Sequence, residues 1–394
     1  MATDLKAAVI VGGGPVGLML AIALAQQGKS VCVIEKNCFE QGQVGSFDGR
    51  VLALSYGSMQ FLNKLGLGEV LATQTTAIEH IHVSQKGYLG LTTLHAQEME
   101  TPALGYSITA ADLGEVLWQK VQTEPLIEVF TQAGLVKFSI ENNLQTVVFD
   151  TADGQQQRSA QLIVGADGTH SSVRKQLGLP MTEKPYHAFG VISKVTTAEP
   201  ANGWAFERFT ETGPVALLPM QGNAHKAVWV VPAEQIDAVK QLNDADFLAA
   251  FSQQIGERFG GFESVSNRVV YPLIETYVSN FVAPRAVLMG NAAHTQHPVA
   301  AQGLNLGIAD IIAFAEMAKS EKDLGNPAFL SSYAQARQVH HQSMMGLTDS
   351  LIQLFQAPSP IIGHLRGLGL MAMHSLPVIR KRFASFTMGL KHHV

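Results

Sequence analysis

Gly12-x-Gly14-x-x-Gly17 lies between the apolar run Ala7–Val11 and the Leu/Ala-rich stretch Leu18–Gln27, which Gly28 closes. Between a strand and a helix, such a turn can cradle a pyrophosphate. Gly12 permits the tight turn, Gly14 lets the backbone approach the phosphates, and Gly17 lets helix and strand pack closely. The helix start then offers unpaired N–H groups and a positive dipole to the phosphate charge. A second strand, Ser30–Ile34, ends in Glu35, where a carboxylate can accept hydrogen bonds from ribose hydroxyls. A carboxylate there disfavours a 2′-phosphate, and so disfavours NADP in this pocket. The motif alone serves FAD and NAD equally.

Two further stretches have the same style. Leu162–Val164 runs into Gly165-Ala166-Asp167-Gly168, with Ser171 and Arg174 following. Asp167 on that turn can accept from a ribityl or ribose hydroxyl, or can simply make an ordinary Asp-Gly turn. Val287–Met289 leads into Gly290-Asn291-Ala292-Ala293-His294, then His297-Pro298-Val299-Ala300-Ala301-Gln302-Gly303-Leu304-Asn305-Leu306-Gly307-Ile308-Ala309-Asp310. Gly303 opens a helix whose N–H groups can receive negative charge. His294 and His297 stand three apart, but the sequence sets no Cys or acid suitably beside them, so no metal site is expected.

These turns need a scaffold, and the composition supplies one. The chain has 394 residues, 46% hydrophobic and 15% charged, enough for a large core and too apolar for disorder. A net charge of −5 excludes the basic balance of a nucleic-acid binder. Cys32, expected in the core, and Cys38 cannot form a disulfide framework. Ala7–Gly28 carries no charge, but its glycines and Pro15 read as strand, turn and helix rather than a membrane span. The first residues lack the basic region of a signal peptide. Thr146–Thr151 and Ser159–Val164 around Asp153-Gly154 predict a hairpin, and about 186–275 predicts a mainly antiparallel sheet. Helices are expected at Leu304–Lys319, from Asn326-Pro327 to about Gln356, and in an amphipathic terminal segment through Ile361, Leu365, Leu368, Ala372 and Leu376. From Ser350 onward there is no acidic residue, while Arg366, Arg380, Lys381, Arg382 and Lys391 are basic.

The three motifs in this order, with Phe47-Asp48-Gly49-Arg50 between the first two, resemble the single-component FAD-dependent aromatic hydroxylases of the p-hydroxybenzoate hydroxylase fold. The chain is most similar to the ubiquinone-biosynthesis (UbiH/VisC) branch, whose signature reads His-Pro-x-x-Gly-Gln-Gly-x-Asn-x-Gly-x-x-Asp. The resemblance implies an α/β chain: a Rossmann-like FAD-binding domain of the glutathione-reductase type, a mainly antiparallel substrate domain and a helical C-terminus. The FAD-binding part is expected at 1–75, 101–180 and 280–340, the substrate sheet at 76–100 and 181–279, and the helical segment at 341–394. By resemblance Gly12, Gly14, Pro15, Val16, Gly17, Glu35 and Lys36 would hold the ADP half of FAD, and Arg50 its pyrophosphate. Asp167 would sit near the dinucleotide middle, and Gly290, Asn291, Pro298, Gly303, Leu304 and Asn305 near the ribityl chain and flavin. Asn291 replaces the family's usual Asp and keeps a carbonyl acceptor. Ala301 replaces the first Gly of Gly-Gln-Gly. Arg208, Tyr271 and Tyr277 fall in the substrate sheet, Arg208 and Tyr271 as candidate pocket residues.

The implied reaction consumes NAD(P)H and O2, and a flavin C4a-hydroperoxide delivers oxygen to a phenol ring. The narrow resemblance points to 2-octaprenyl-6-methoxyphenol, hydroxylated to the benzoquinol, with no base identifiable for removing the phenol proton. Sister hydroxylases acting at other ring positions share all three motifs. A flavin-dependent reductase and a non-catalytic FAD-holding subunit are the other readings. A cytoplasmic protein peripheral to the inner membrane is expected, in contact with other ubiquinone-biosynthesis proteins. The basic tail is expected either to meet lipid or to pack on the FAD-binding domain; the oligomeric state is left open.

Overall fold

The computed structural model describes residues 5–40, 43–44, 50–296, 303–356 and 359–390. Apolar, β-branched runs without charge form the buried centre of its first sheet. The strand Lys6–Val11 lies parallel to Val31–Ile34 on one side and to the last half of Gly154–Gly165 on the other. Gly154–Gly165 is shared: its first half pairs antiparallel with Leu144–Thr151, the predicted hairpin, and its end pairs parallel with Ala286–Leu288. Register then decides where the motifs meet. Val11 is opposite Gly165, and Gly165 is opposite Leu288. Parallel strands in this register deliver all three glycine turns to one edge, the carboxyl ends of the strands, where open α/β sheets bind ligands.

Pro15–Ala25 packs across this sheet, and nine of its eleven residues are buried. Pro at its first turn presets the helical φ, and Gly28 at φ +76° ends the stretch as expected. Cys32 is fully buried here, and desolvation pushes its thiol up to about 12, so it serves as core.

Among the described residues the second sheet has nine strands and is antiparallel except where Trp204–Thr210 runs beside His80–Gln85. Its long members are Thr182–Thr197, Gly213–Pro219, Ala224–Pro232 and Val269–Tyr277. One face is covered by Asp244–Ile255, whose Phe247 and Phe251 pack on Trp229. Asn243 caps that helix by accepting from the Asp246 N–H.

The terminal helices Pro360–Ser375 and Pro377–Thr387 cover part of the other face. Their seat is built from glycines. A Cβ on Gly363 would stand 2.2 Å from the Tyr88 ring, and one on Gly367 would stand 2.0 Å from the Leu89 carbonyl oxygen. Two glycines one turn apart therefore let the helix lie directly on the hairpin loop at Tyr88–Gly90. Arg366, between them, donates to the Leu354 and Phe355 carbonyls, satisfying the exposed end of the helix Pro327–Gln356. Arg380 holds Glu98 with two hydrogen bonds of 2.8 and 2.9 Å. The tail thus packs chiefly on the second sheet rather than on the dinucleotide-type sheet. Gly367→Leu is expected to lift Pro360–Ser375 at a cost of about 1–3 kcal/mol. Chemical denaturation measures that loss, and faster hydrogen exchange confined to 360–375 locates it.

Candidate functional site

Each glycine of the first turn has its own reason to be there. A Cβ on Gly12, at φ +111°, would fall 2.3 Å from the Ala166 carbonyl oxygen, so the first and second motifs touch through bare backbone. A Cβ on Gly17 would fall 2.0 Å from the Gly12 carbonyl oxygen. Gly14 differs: its φ is −72°, and no described atom lies within 4 Å of where its Cβ would be. The space beside it is open, and no side chain caps the helix that starts there. Val16 supplies the third junction, lying 3.0 Å from the Cβ positions of Gly290 and Gly307.

Glu35 is buried and accepts from the Gly13 N–H at 2.6 Å and from Asn37 through two contacts of 2.8 Å. It therefore also braces the glycine turn. Lys36 and Arg50 are exposed nearby in sequence, and the Arg50 carbonyl accepts from Ala110. Asp167 divides its two oxygens. Oδ2 accepts from the Ser172 N–H and hydroxyl at 2.6 and 2.7 Å, at the start of the short helix that Ser171 caps. Oδ1 is buried with no hydrogen-bond partner among the described residues. Gly290 turns at φ +57°, and Asn291 after it is exposed. Gly303 opens the helix Gly303–Ala318, and Leu304 is half-buried behind it. Pro298, Phe47, Asp48, Gly49 and Ala301 lie outside the described residues.

Asn305 links this edge to the second sheet's side of the molecule. Its Oδ1 accepts from the Ser55 N–H and the Ser58 hydroxyl, both at 2.8 Å, and its Nδ2 donates to the Ala53 carbonyl at 3.0 Å. Ala53, Ser55 and Asn305 form one end of a cavity of about 540 Å³. Its walls are apolar: Ile81, Val83, Ala216 and Leu218 from the second sheet face Phe355, Leu370, Met373 and Phe383 from the terminal helices. Tyr271 is on its wall. Arg208 does not: Ala205, Phe206, Glu207 and Phe209 of its strand line the cavity, while the Arg208 side chain turns toward Gly256 and Arg258. Glu207, one position away, is the charged group this strand presents, with Lys226 and Arg366 elsewhere on the wall. Next to the cavity, the Tyr186 hydroxyl sits 2.8 Å from Asp349 and 3.1 Å from Glu275, tying the helix Pro327–Gln356 to the sheet. Burial, then the neighbouring Asp349, pushes the Glu275 carboxyl up.

The motif also holds a cluster that spacing did not reveal. His294 has an acid beside it after all: Asp310, one side of whose carboxylate meets His294 Nε2 at 2.7 Å. The other oxygen receives Arg337 Nε and His341 Nε2, each at 2.7 Å. All four side chains are buried. Burial alone would raise the Asp310 carboxyl, but His341, Arg337 and His294 outweigh it and hold it well below its ordinary value. Burial pushes His341 down, toward its neutral form. His294, Asp310 and His341 bring their ligand atoms within 4.8 Å of one another. The Arg337 guanidinium already shares that oxygen, however, and a divalent cation would sit against its charge. The cluster is a hydrogen-bonded counter-ion network that pins the Gly290–His294 turn to the helix Gly303–Ala318. The signal for it was Asp310, an acid flanked by apolar residues in the middle of its helix.

The donor set fits a dinucleotide: an open glycine cradle, an uncapped helix start and an orphaned carboxylate oxygen on one edge. The FAD binding domain family matches residues 5–348. The chain belongs to that family. It is 31% identical to ubiquinone hydroxylase UbiL of Rhodospirillum rubrum over 97% of this chain and 89% of that one. It is 28% identical to 3-demethoxyubiquinol 3-hydroxylase of Escherichia coli, over 97% and 98%. Among solved structures, p-nitrophenol 4-monooxygenase PnpA of Pseudomonas putida superposes with a TM-score of 0.79 at 16% identity, covering 98% of both chains, which establishes the shared fold. The protein is an FAD-dependent aromatic monooxygenase related to the hydroxylases of ubiquinone biosynthesis.

Proposed function

We propose that the chain hydroxylates a polyprenylated phenol, specifically 2-octaprenyl-6-methoxyphenol to its 1,4-benzoquinol. The observation that carries the reading is the apolar cavity ending on Asn305 and Ser55, beside the third glycine motif. FAD when bound supplies the oxygen-transfer chemistry, with NAD(P)H as reductant and O2 as co-substrate. The chain's own residues do the rest. Gly12, Gly14, Pro15, Val16 and Gly17 present the open turn and uncapped helix to the pyrophosphate, and Arg50 adds a bidentate cation. Glu35 takes ribose hydroxyls while bracing Gly13, with Lys36 beside it. Asp167 Oδ1 and the Asn291 carbonyl accept from hydroxyls further along the dinucleotide, with Gly290 allowing close approach. Gly303, Leu304 and Asn305 place a helix N-terminus where negative charge gathers. The walls exclude water from the ring, and Tyr271 and Glu207 are the polar groups that orient the phenol.

The cavity volume lies within the range of about 300–1,000 Å³ that suits drug-sized ligands. It holds the methoxyphenol head and the first isoprene units, with the rest of the tail outside. Oxygen uptake coupled to phenol-dependent NAD(P)H oxidation is the expected result for the purified, FAD-loaded protein. Oxidation without oxygen uptake would indicate a reductase, and no turnover a holding subunit. A strain deleted for this chain is expected to accumulate 2-octaprenyl-6-methoxyphenol; build-up of a different intermediate would reassign the ring position.

A further inference from the structure

The helix Pro360–Ser375 is amphipathic with its faces reversed for a water-exposed position. The side that meets the protein is Gly363, Arg366, Gly367 and Leu370. The outward side carries Ile361, Leu368 and Met371, exposed by 72, 59 and 49%. Leu89, at the loop under this helix, and Val378 and Ile379, at the start of the next one, are exposed as well. Helices on soluble surfaces turn such residues inward, and a continuous outward set marks a contact surface.

Charge selects the partner. Lys381 and Arg382 are exposed beside Val378 and Ile379, and no acidic residue occurs from 350 to the end. An apolar stripe beside cations is the pattern that lies in the interface of an anionic bilayer. Two copies of this chain joined across a twofold axis would set like charges against each other, which disfavours a self-contact. Among the described residues no helix is long and apolar enough to cross a membrane, so contact through this face is superficial. The face is also the cavity's outer wall: Leu365 lines the cavity and is 60% exposed, so the cavity reaches the surface at this helix.

We propose that Pro360–Ser375 and the start of Pro377–Thr387 dock on anionic phospholipid, placing the mouth of the cavity against the bilayer so that a prenylated substrate enters from lipid. The entry step rests on the hydroxylase reading, whereas docking does not, and docking is measured without turnover. The FAD-loaded full-length protein is sedimented with vesicles of phosphatidylethanolamine and phosphatidylglycerol, or of phosphatidylcholine alone. Binding is expected to the anionic vesicles. It is expected to weaken about tenfold or more both in Ile361→Gln/Leu368→Gln/Met371→Gln and in Lys381→Gln/Arg382→Gln, and raised salt should weaken the parent more than the second variant. Unchanged FAD content and an unchanged melting profile identify folded variants. For the unsubstituted protein, slower hydrogen exchange over 360–382 on anionic vesicles is the expected companion result. A parent that stays in the supernatant, variants that bind like the parent, or a dimer dissolved by the apolar triple variant while vesicle binding persists would each overturn the proposal. Absent oxygen uptake with a detergent-dispersed phenol, alongside intact vesicle binding, would count against the hydroxylase reading alone.

Discussion

Asp310→Ala is expected to destabilise the protein by about 3–5 kcal/mol, because it leaves the buried Arg337 guanidinium without its counter-ion. Urea denaturation gives that value directly. The same change frees His294, so the Gly290–His294 turn loses its anchor and FAD affinity falls with stability. Asp310→Ala combined with Arg337→Leu is expected to regain most of the loss, since an apolar pair of similar volume removes the stranded charge. A double variant as unstable as the sum of the singles would show that the network is not the source. The pH dependence has a definite sign. The folded-state value of Asp310 lies below its unfolded one, so its contribution is complete above the ordinary carboxylate value of 3.8 and is lost as pH falls through the folded value. Asp310→Asn should flatten that acid limb of the stability curve.

Gly14→Val separates ligand from fold. The backbone there is in a conformation open to any residue, and a Cβ meets no described atom within 4 Å, so the apo-protein should melt within about 0.5 kcal/mol of the parent. The isopropyl group instead fills the space beside the uncapped helix start. Overpacking of about 1–3 kcal/mol against the pyrophosphate weakens FAD by about tenfold to a hundredfold or more. Gly17→Ala should do the opposite, disturbing the fold itself, because its Cβ would collide with the Gly12 carbonyl at 2.0 Å. FAD fluorescence quenching with the apo-proteins distinguishes the two; a Gly14→Val protein that binds like the parent would contradict the placement of the phosphates.

The motifs and their scaffold were legible because backbone geometry demands glycine at fixed places. Gly12, Gly17 and Gly28 are needed for φ or for close approach, and the charge-free runs Ala7–Val11 and Ser30–Ile34 on either side of the turn and helix announce a β-α-β unit. Side-chain direction was harder. Arg208 and Glu207 are neighbours on one strand, and only the pairing register says which one enters the cavity. Asp310, His294, Arg337 and His341 come from three separate segments, so their meeting depends on tertiary packing that no spacing records. The terminal periodicity through Ile361, Leu365 and Leu368 correctly predicted a helix. It did not say which face would be buried, because Gly363 and Gly367, not the apolar residues, provide the close seat.

Titration of the folded, flavin-free chain with FAD, read by visible absorbance and checked by equilibrium dialysis, tests the convergence of the three glycine turns most directly. The predicted result is a yellow complex saturating at one FAD per chain, with the phenol perturbing the flavin spectrum from the adjoining cavity. A native chain that takes up no FAD, or whose bound flavin is indifferent to every prenylated phenol, would contradict the arrangement.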